Sequence, residues 1–275
     1  MILRSSLLAA AVLTLQLPSG RSASTAAAAG ANDVYEGSNE DNDSKYCFVV
    51  AVINKELNVN YGRCTGILIS PNWVLTAAKC LDINAQVQFD EMDLPLSETN
   101  SIRRVLQLER PPAGPGTGPD LGFIYVKDIP RKEYGKLSAV DYKAIAGRGS
   151  VVLFAGFEPV KKNGTERPVG LVQVGEGVAS SCKTDEEHKT MSMRVPSLCV
   201  APKCWERPQD GADDPGSPLF LRGKLVGVHM GGVRPGGMRA YTPISPYLAW
   251  IQQVVTKPEV FRARGSWYHY SDMIL

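Results

Sequence analysis

The chain has 275 residues, 44% of them hydrophobic and 21% charged. That is enough apolar material for a sizeable core, and it lacks the low-hydrophobicity, high-charge balance of a disordered chain. Its 30 Lys and Arg against 28 Asp and Glu leave a formal net charge of +2, too close to balance for nucleic acid or an anionic membrane to be the expected partner.

The chain opens with Arg4, an apolar run from Leu7 to Leu17, then Pro18 and small residues. This is the order of a secretory signal, and the run is shorter than the ~20 residues of a spanning helix. The expected organisation is a signal over 1–23, a short segment over 24–33, a folded domain over 34–258 and a tail over 259–275, with the mature protein secreted and extracellular. Cys47, Cys64, Cys80, Cys182, Cys199 and Cys204 are then expected disulfide partners, because that compartment is oxidising and no short CxxC pair suggests zinc. Asn42-Asp43-Ser44 and Asn163-Gly164-Thr165 have the acceptor pattern for glycosylation. Acidic clusters at Asp41 to Asp43 and Asp90 to Asp93 read as solvated loops, so no metal and no cofactor is assigned.

Beyond the Ala-rich and acidic stretch from Ala26 to Ser44, short apolar runs recur between turn residues: Phe48 to Ile53, Thr65 to Ile69, Val74 to Ala78, Leu121 to Val126, Val151 to Phe157 and Leu225 to Met230. Many short strands separated by Gly, Pro and Asn predict an all-β sandwich or barrel. The Pro- and Gly-rich segment from Glu109 to Pro119 can sustain neither helix nor central strand and reads as a loop. Near the end, Pro246 opens a helical pattern over Tyr247 to Val255, which Pro258 stops.

Four segments, taken in order, resemble one family. CTGILISPNWVLTAAKC (Cys64 to Cys80) is similar to the stretch of chymotrypsin/trypsin-like serine proteases that ends in TAAHC. DLGFIYV (Asp120 to Val126) resembles their DIALI strand, DDPGSPLF (Asp213 to Phe220) their GDSGGPL, and YTPISPYLAWI (Tyr241 to Ile251) their YTRVSPYLDWI. The likeness runs from about Val34 to Val255, in a style that looks arthropod. It implies an all-β fold of two packed six-stranded antiparallel barrels with a C-terminal helix.

The chemistry of that family needs a serine nucleophile, a histidine base and an aspartate that orients the histidine. On the matched positions only Asp120 is kept. The histidine becomes Lys79, whose ordinary ammonium has no lone pair to offer, and the serine becomes Pro215, which has no nucleophilic atom and no backbone N–H for the oxyanion. The other oxyanion position is Asp213, a carboxylate where negative charge would develop. A Ser217–Lys79 dyad is the remaining catalytic reading, although Ser217 falls two residues from the nucleophile's place. His188, His229 and His269 lie away from the TAAHC position, and His229 reads as a packed or surface histidine. In the specificity pocket, Gln209 falls at the floor and Arg239 on a glycine wall, so the arginine is expected to fill the pocket.

The resemblance implies bridges Cys64–Cys80 and Cys182–Cys199. Gly211 replaces a cysteine of the bridge beside the nucleophile, leaving Cys47 and Cys204 to pair with each other or with another chain. In the family, a cut before an IVGG-like sequence frees an ammonium that pairs with the aspartate kept here as Asp214. The matching Val34-Tyr35-Glu36-Gly37 follows Asp33, with Arg4 and Arg21 the only basic residues upstream, so a trypsin-like cut cannot free Val34. A buried Asp214 would then look to Lys79 or a neighbouring arginine for a partner. The expected function is a secreted, non-catalytic homologue that binds other secreted proteins, proteases or zymogens among them, as a cofactor, decoy or regulator of a protease cascade. The alternative is a serine endopeptidase with unconventional catalysis. Arg103-Arg104 and Lys161-Lys162 suggest a further polyanionic glycan partner.

Overall fold

Short runs of β-branched and aromatic residues become strands because their side chains pack well on a pleated surface, and the chain uses them to build two barrels. The computed structural model describes residues 45–54, 63–90, 99–112, 118–157, 161–162, 165–166, 172–182, 196–202, 214–233, 237–257, 262–263 and 266–267. All of them belong to one unit, Tyr35–Leu275.

The first barrel comprises β1 (Val49–Ile53), β2 (Arg63–Leu68), β3 (Trp73–Thr76), β4 (Gln86–Gln88), β5 (Ile102–Glu109) and β6 (Gly122–Val126). The antiparallel order is β1-β2-β3-β6-β5-β4, and Val52 opposite Val87 closes the ring. The second barrel begins with β7 (Val151–Gly156). After a two-residue hairpin of β8 (Lys161–Lys162) and β9 (Thr165–Glu166), it continues through β10 (Gln173–Ser181), β11 (Leu198–Pro202), β12 (Pro218–Leu221), β13 (Lys224–Val233) and β14 (Arg239–Pro243). Its order is β10-β11-β14-β13-β12-β7, closed where Gly175 lies opposite Phe154. Counted from its own first strand, each barrel thus repeats one topology, and closure leaves neither with an open edge.

Aromatic side chains join the barrels. Phe220 on β12 packs against Tyr46 and Phe48, with ring centroids 5.6 and 6.0 Å away. A short helix α1 (Tyr142–Gly147) starts where the Asp141 carboxylate accepts the Lys143 N–H at 3.1 Å. The expected C-terminal helix is α2 (Leu248–Val255), entered through a 3₁₀ turn at Ser245–Tyr247 that contains Pro246. It buries Ile251 and Val254 and lays Trp250 against Phe123, 5.3 Å between centroids. No helix among the described residues is long and apolar enough to cross a membrane.

All six apolar runs read from the sequence lie on strands, β1, β2, β3, β6, β7 and β13. Strand β5 and helix α1 were not marked by such runs. In β5 the apolar residues Ile102, Val105, Leu106 and Leu108 are interrupted by Arg103, Arg104 and Gln107, and only Val105 is buried. Cys64–Cys80 and Cys182–Cys199 are bridged. Among the described residues Cys47 is a free thiol; Cys204, expected to pair with it or with another chain, lies outside them. Cys47 sits in the turn before β1, where its carbonyl accepts Arg131 Nε at 2.8 Å.

Replacing Cys64 and Cys80 together with alanine should lower stability by about 2–5 kcal/mol, as the loss of native disulfides does in small secreted domains. A fall in the urea midpoint at unchanged slope is the expected reading.

Candidate functional site

The loop between β5 and β6 ends at Asp120, and the 3₁₀ turn Ala78–Cys80 follows β3. One Asp120 carboxylate oxygen accepts the Lys79 backbone N–H at 3.1 Å; the other lies 3.5 Å from Lys79 Nζ. The Asp120 backbone carbonyl accepts Thr242 Oγ1 at 3.1 Å from β14, which ties this corner to the second barrel. Arg110 Nη2 caps the same turn by donating to the Ala78 carbonyl at 3.3 Å. Lys79 is about half exposed (49%) and Asp120 mostly covered (17%), an ion pair of the surface kind that contributes roughly 0–1 kcal/mol.

The turn Asp214-Pro215-Gly216-Ser217, all buried, leads into β12. The Pro215 carbonyl accepts the Thr65 N–H at 2.9 Å and lies 3.7 Å from the bridged Cys80 sulfur, which brings it beside the turn that carries Lys79. Gly216 has φ +90, and a Cβ on it would collide with the Thr65 carbonyl and the Thr76 hydroxyl. Only glycine fits, both by conformation and by space. Its N–H donates to the His229 carbonyl at 2.9 Å, and the His229 N–H donates to the Ser217 carbonyl at 2.8 Å.

Asp214 is the electrostatic centre of this turn. It is 7% exposed, and its two carboxylate oxygens lie 2.7 and 2.8 Å from Thr65 Oγ1, whose one proton they share. The Phe157 N–H donates to the same carboxylate at 3.0 Å. A Cβ at Gly156 would collide with it. His229 Nδ1 lies 2.9 Å from the Asp214 carbonyl; since a carbonyl only accepts, the proton sits on Nδ1. Arg63, at the start of β2, is partly buried. Burial lowers its guanidinium pKa, and the negative charge of Asp214 acts in the opposite direction.

The trypsin family model matches residues 35–251. The chain belongs to the trypsin family. It is 28% identical to cationic trypsin-3 of Rattus norvegicus, covering 72% of this chain and 82% of that one, and 26% identical to trypsin of Sus scrofa, covering 78% and 97%. A snake venom serine protease homolog of Protobothrops jerdonii is 23% identical over 80% and 86%. Among solved structures, kallikrein-related peptidase 10 in complex with Zn2+ superposes with a TM-score of 0.58 at 20% identity, covering 76% of this chain and 96% of that one. That likeness shows the fold.

Lys79 and Asp120 meet at the junction of the barrels, and the Pro215 carbonyl lies 3.7 Å from the sulfur of Cys80, the residue next to Lys79. The group facing Asp120 is an ammonium, and the residue before Gly216 is a proline without a donor. Ser217 is buried, and its Cβ lies 3.1 Å from where a Cβ of Gly156 would stand. Its backbone carbonyl accepts the His229 N–H at 2.8 Å, and Lys79 Nζ lies 3.5 Å from Asp120. His229 is a core histidine packed against Tyr241, 5.1 Å between rings. Arg239 begins β14 with its guanidinium 5.0 Å above the Phe154 ring, a cation–π contact inside the second barrel's wall. Asp213, Gln209, Asn42 and Asn163 lie outside the described residues. Asp90, in one of the acidic clusters noted in the sequence, is paired with Arg131 at 2.8 Å.

Sequence reasoning named Asp214 but missed Thr65, which reads as one more β-branched strand residue. The available signal was a hydroxyl beside Cys64 in a segment otherwise written with apolar residues.

The energetics separate the two halves of the site. Gly216→Ala should cost roughly 3 kcal/mol or more, since a clash with backbone at a positive φ is among the severe mechanisms. Lys79→Met should change stability by less than about 1 kcal/mol. Paired chemical denaturation curves check both.

Proposed function

We propose that this trypsin-family chain is a secreted, non-catalytic homologue that acts by binding other secreted proteins, as a cofactor, decoy or regulator of a protease cascade. The observation that carries the reading is the ion pair between Lys79 and Asp120, which fills the place of the orienting hydrogen bond between aspartate and histidine. A general base must present a lone pair to its nucleophile. Here the nitrogen in that place is paired with the carboxylate, and Pro215 at the nucleophile's position offers neither an attacking atom nor an oxyanion donor. Both bridged cysteine pairs fit an oxidising compartment.

Recognition would then fall to the loops around the barrel junction, since loops on a rigid scaffold carry binding while the fold itself does not dictate chemistry. Proteases or their zymogens are the partner class this reading favours. A polyanionic glycan partner gains less support. Arg103 donates to the Asp128 and Ile102 carbonyls at 3.3 and 2.9 Å and stacks on Phe89 at 4.7 Å, so much of its donor capacity is spent within the barrel.

Immobilised mature protein should retain a trypsin-family protease or zymogen from the secretion it comes from, and its addition should change the rate at which that zymogen is activated. Retention of glycan alone, with activation rates unchanged, would point to a different role. A second test is chemical. The double variant Lys79→His, Pro215→Ser should stay at least about a hundredfold below an active trypsin in peptide hydrolysis. Asp213 still stands at one oxyanion position, and loss of one such donor costs ~10²–10³ in turnover. Turnover by the double variant at the level of an active relative would contradict this reading of Asp213.

A further inference from the structure

We infer that Arg63 is a built-in countercharge for Asp214, fixing the Asp214-Pro215-Gly216 turn against β2 without any proteolytic release of an N-terminal ammonium. The inference concerns how the turn is held and stands independently of whether the protein has a catalytic activity.

Side chains alternate across a strand, so residues two apart leave the same face, about 7 Å apart along it. Arg63 and Thr65 are such a pair on β2, and the register against β1 is regular through both, Arg63 opposite Ile53 and Thr65 opposite Ala51. Thr65 directs its hydroxyl at both Asp214 oxygens. The side chain of Arg63 therefore leaves β2 on the face that meets Asp214. Arg63 is also partly buried, which an arginine adopts at a cost unless an opposite charge is close. The direction in which Asp214 acts on it agrees with that placement. The other cation considered for this role, Lys79, is engaged by Asp120 at 3.5 Å. Asp214 itself is clamped from three sides, by Thr65 Oγ1, by the Phe157 N–H and by Gly156, which leaves no room for a side chain. A carboxylate fixed so closely, with a guanidinium on the adjoining strand face, forms a bridge between the barrels that is present as soon as the chain folds.

The test is a double-mutant cycle on the full mature chain, because the coupling of two charges shows only as a failure of additivity. Arg63→Gln should lower the folding equilibrium constant about tenfold when Asp214 is present and less than about twofold in an Asp214→Asn background. Equal losses in both backgrounds would overturn the inference. Should Asp214→Asn not fold, hydrogen exchange of the Phe157 and Gly216 amides in the single variants decides the matter. Arg63→Gln should speed their exchange about tenfold, and Arg63→Lys should restore most of the protection by keeping the charge. Exchange unchanged in Arg63→Gln, or equally fast in both variants, would show that the charge of Arg63 does not hold the turn.

Discussion

A buried carboxylate must be met by hydrogen bonds and charge or it unfolds what surrounds it, and Asp214 imposes that condition on both barrels at once. Thr65 comes from the first barrel, while Phe157 and the turn itself come from the second. Once Asp214 is held, the next three residues have little freedom. Pro215 turns its carbonyl to the Thr65 N–H, Gly216 presses its bare Cα on β2, and Ser217 joins the backbone of β13 through His229. The tautomer of His229 follows from the same turn, since it reads the Asp214 carbonyl. The turn around Pro215 is thus fixed through its backbone groups rather than through the proline side chain.

On the opposite side of the junction, the first barrel keeps Asp120 in its place with equal care. The aspartate holds the backbone of the Ala78–Cys80 turn, and its carbonyl reaches Thr242 across the interface. What differs is the partner it receives. An ammonium half exposed to water pairs with the carboxylate at little energetic gain, so Lys79 can occupy this position without the fold depending on it. The architecture and the chemistry separate cleanly because they rest on different atoms: backbone groups and Asp120 in one case, two side chains in the other.

The sequence was most informative where apolar residues cluster, and β1, β3 and β6 could be read directly from VVAVI, WVLT and GFIYV. Strand β5, IRRVLQLE, could not, because its apolar residues are broken up by arginine and glutamine and it is held by pairing with β4 and β6. Helix α1 is too short for a periodic pattern to emerge from six residues. Of the site, Lys79, Asp120, Pro215 and Asp214 were legible through the family motifs around them. Thr65 was not, since its significance lies in the carboxylate it meets 149 residues later in the chain, and no local pattern encodes that.

Active-site labelling reaches the central claim most directly. Homogeneous mature protein, treated with a fluorophosphonate probe beside an active trypsin and analysed by intact mass, should show no covalent adduct and no probe-sensitive hydrolysis of peptide substrates. A stoichiometric adduct on Ser217 or any other residue, with hydrolysis lost in step with labelling, would contradict the account and return the chain to the catalytic members of its family.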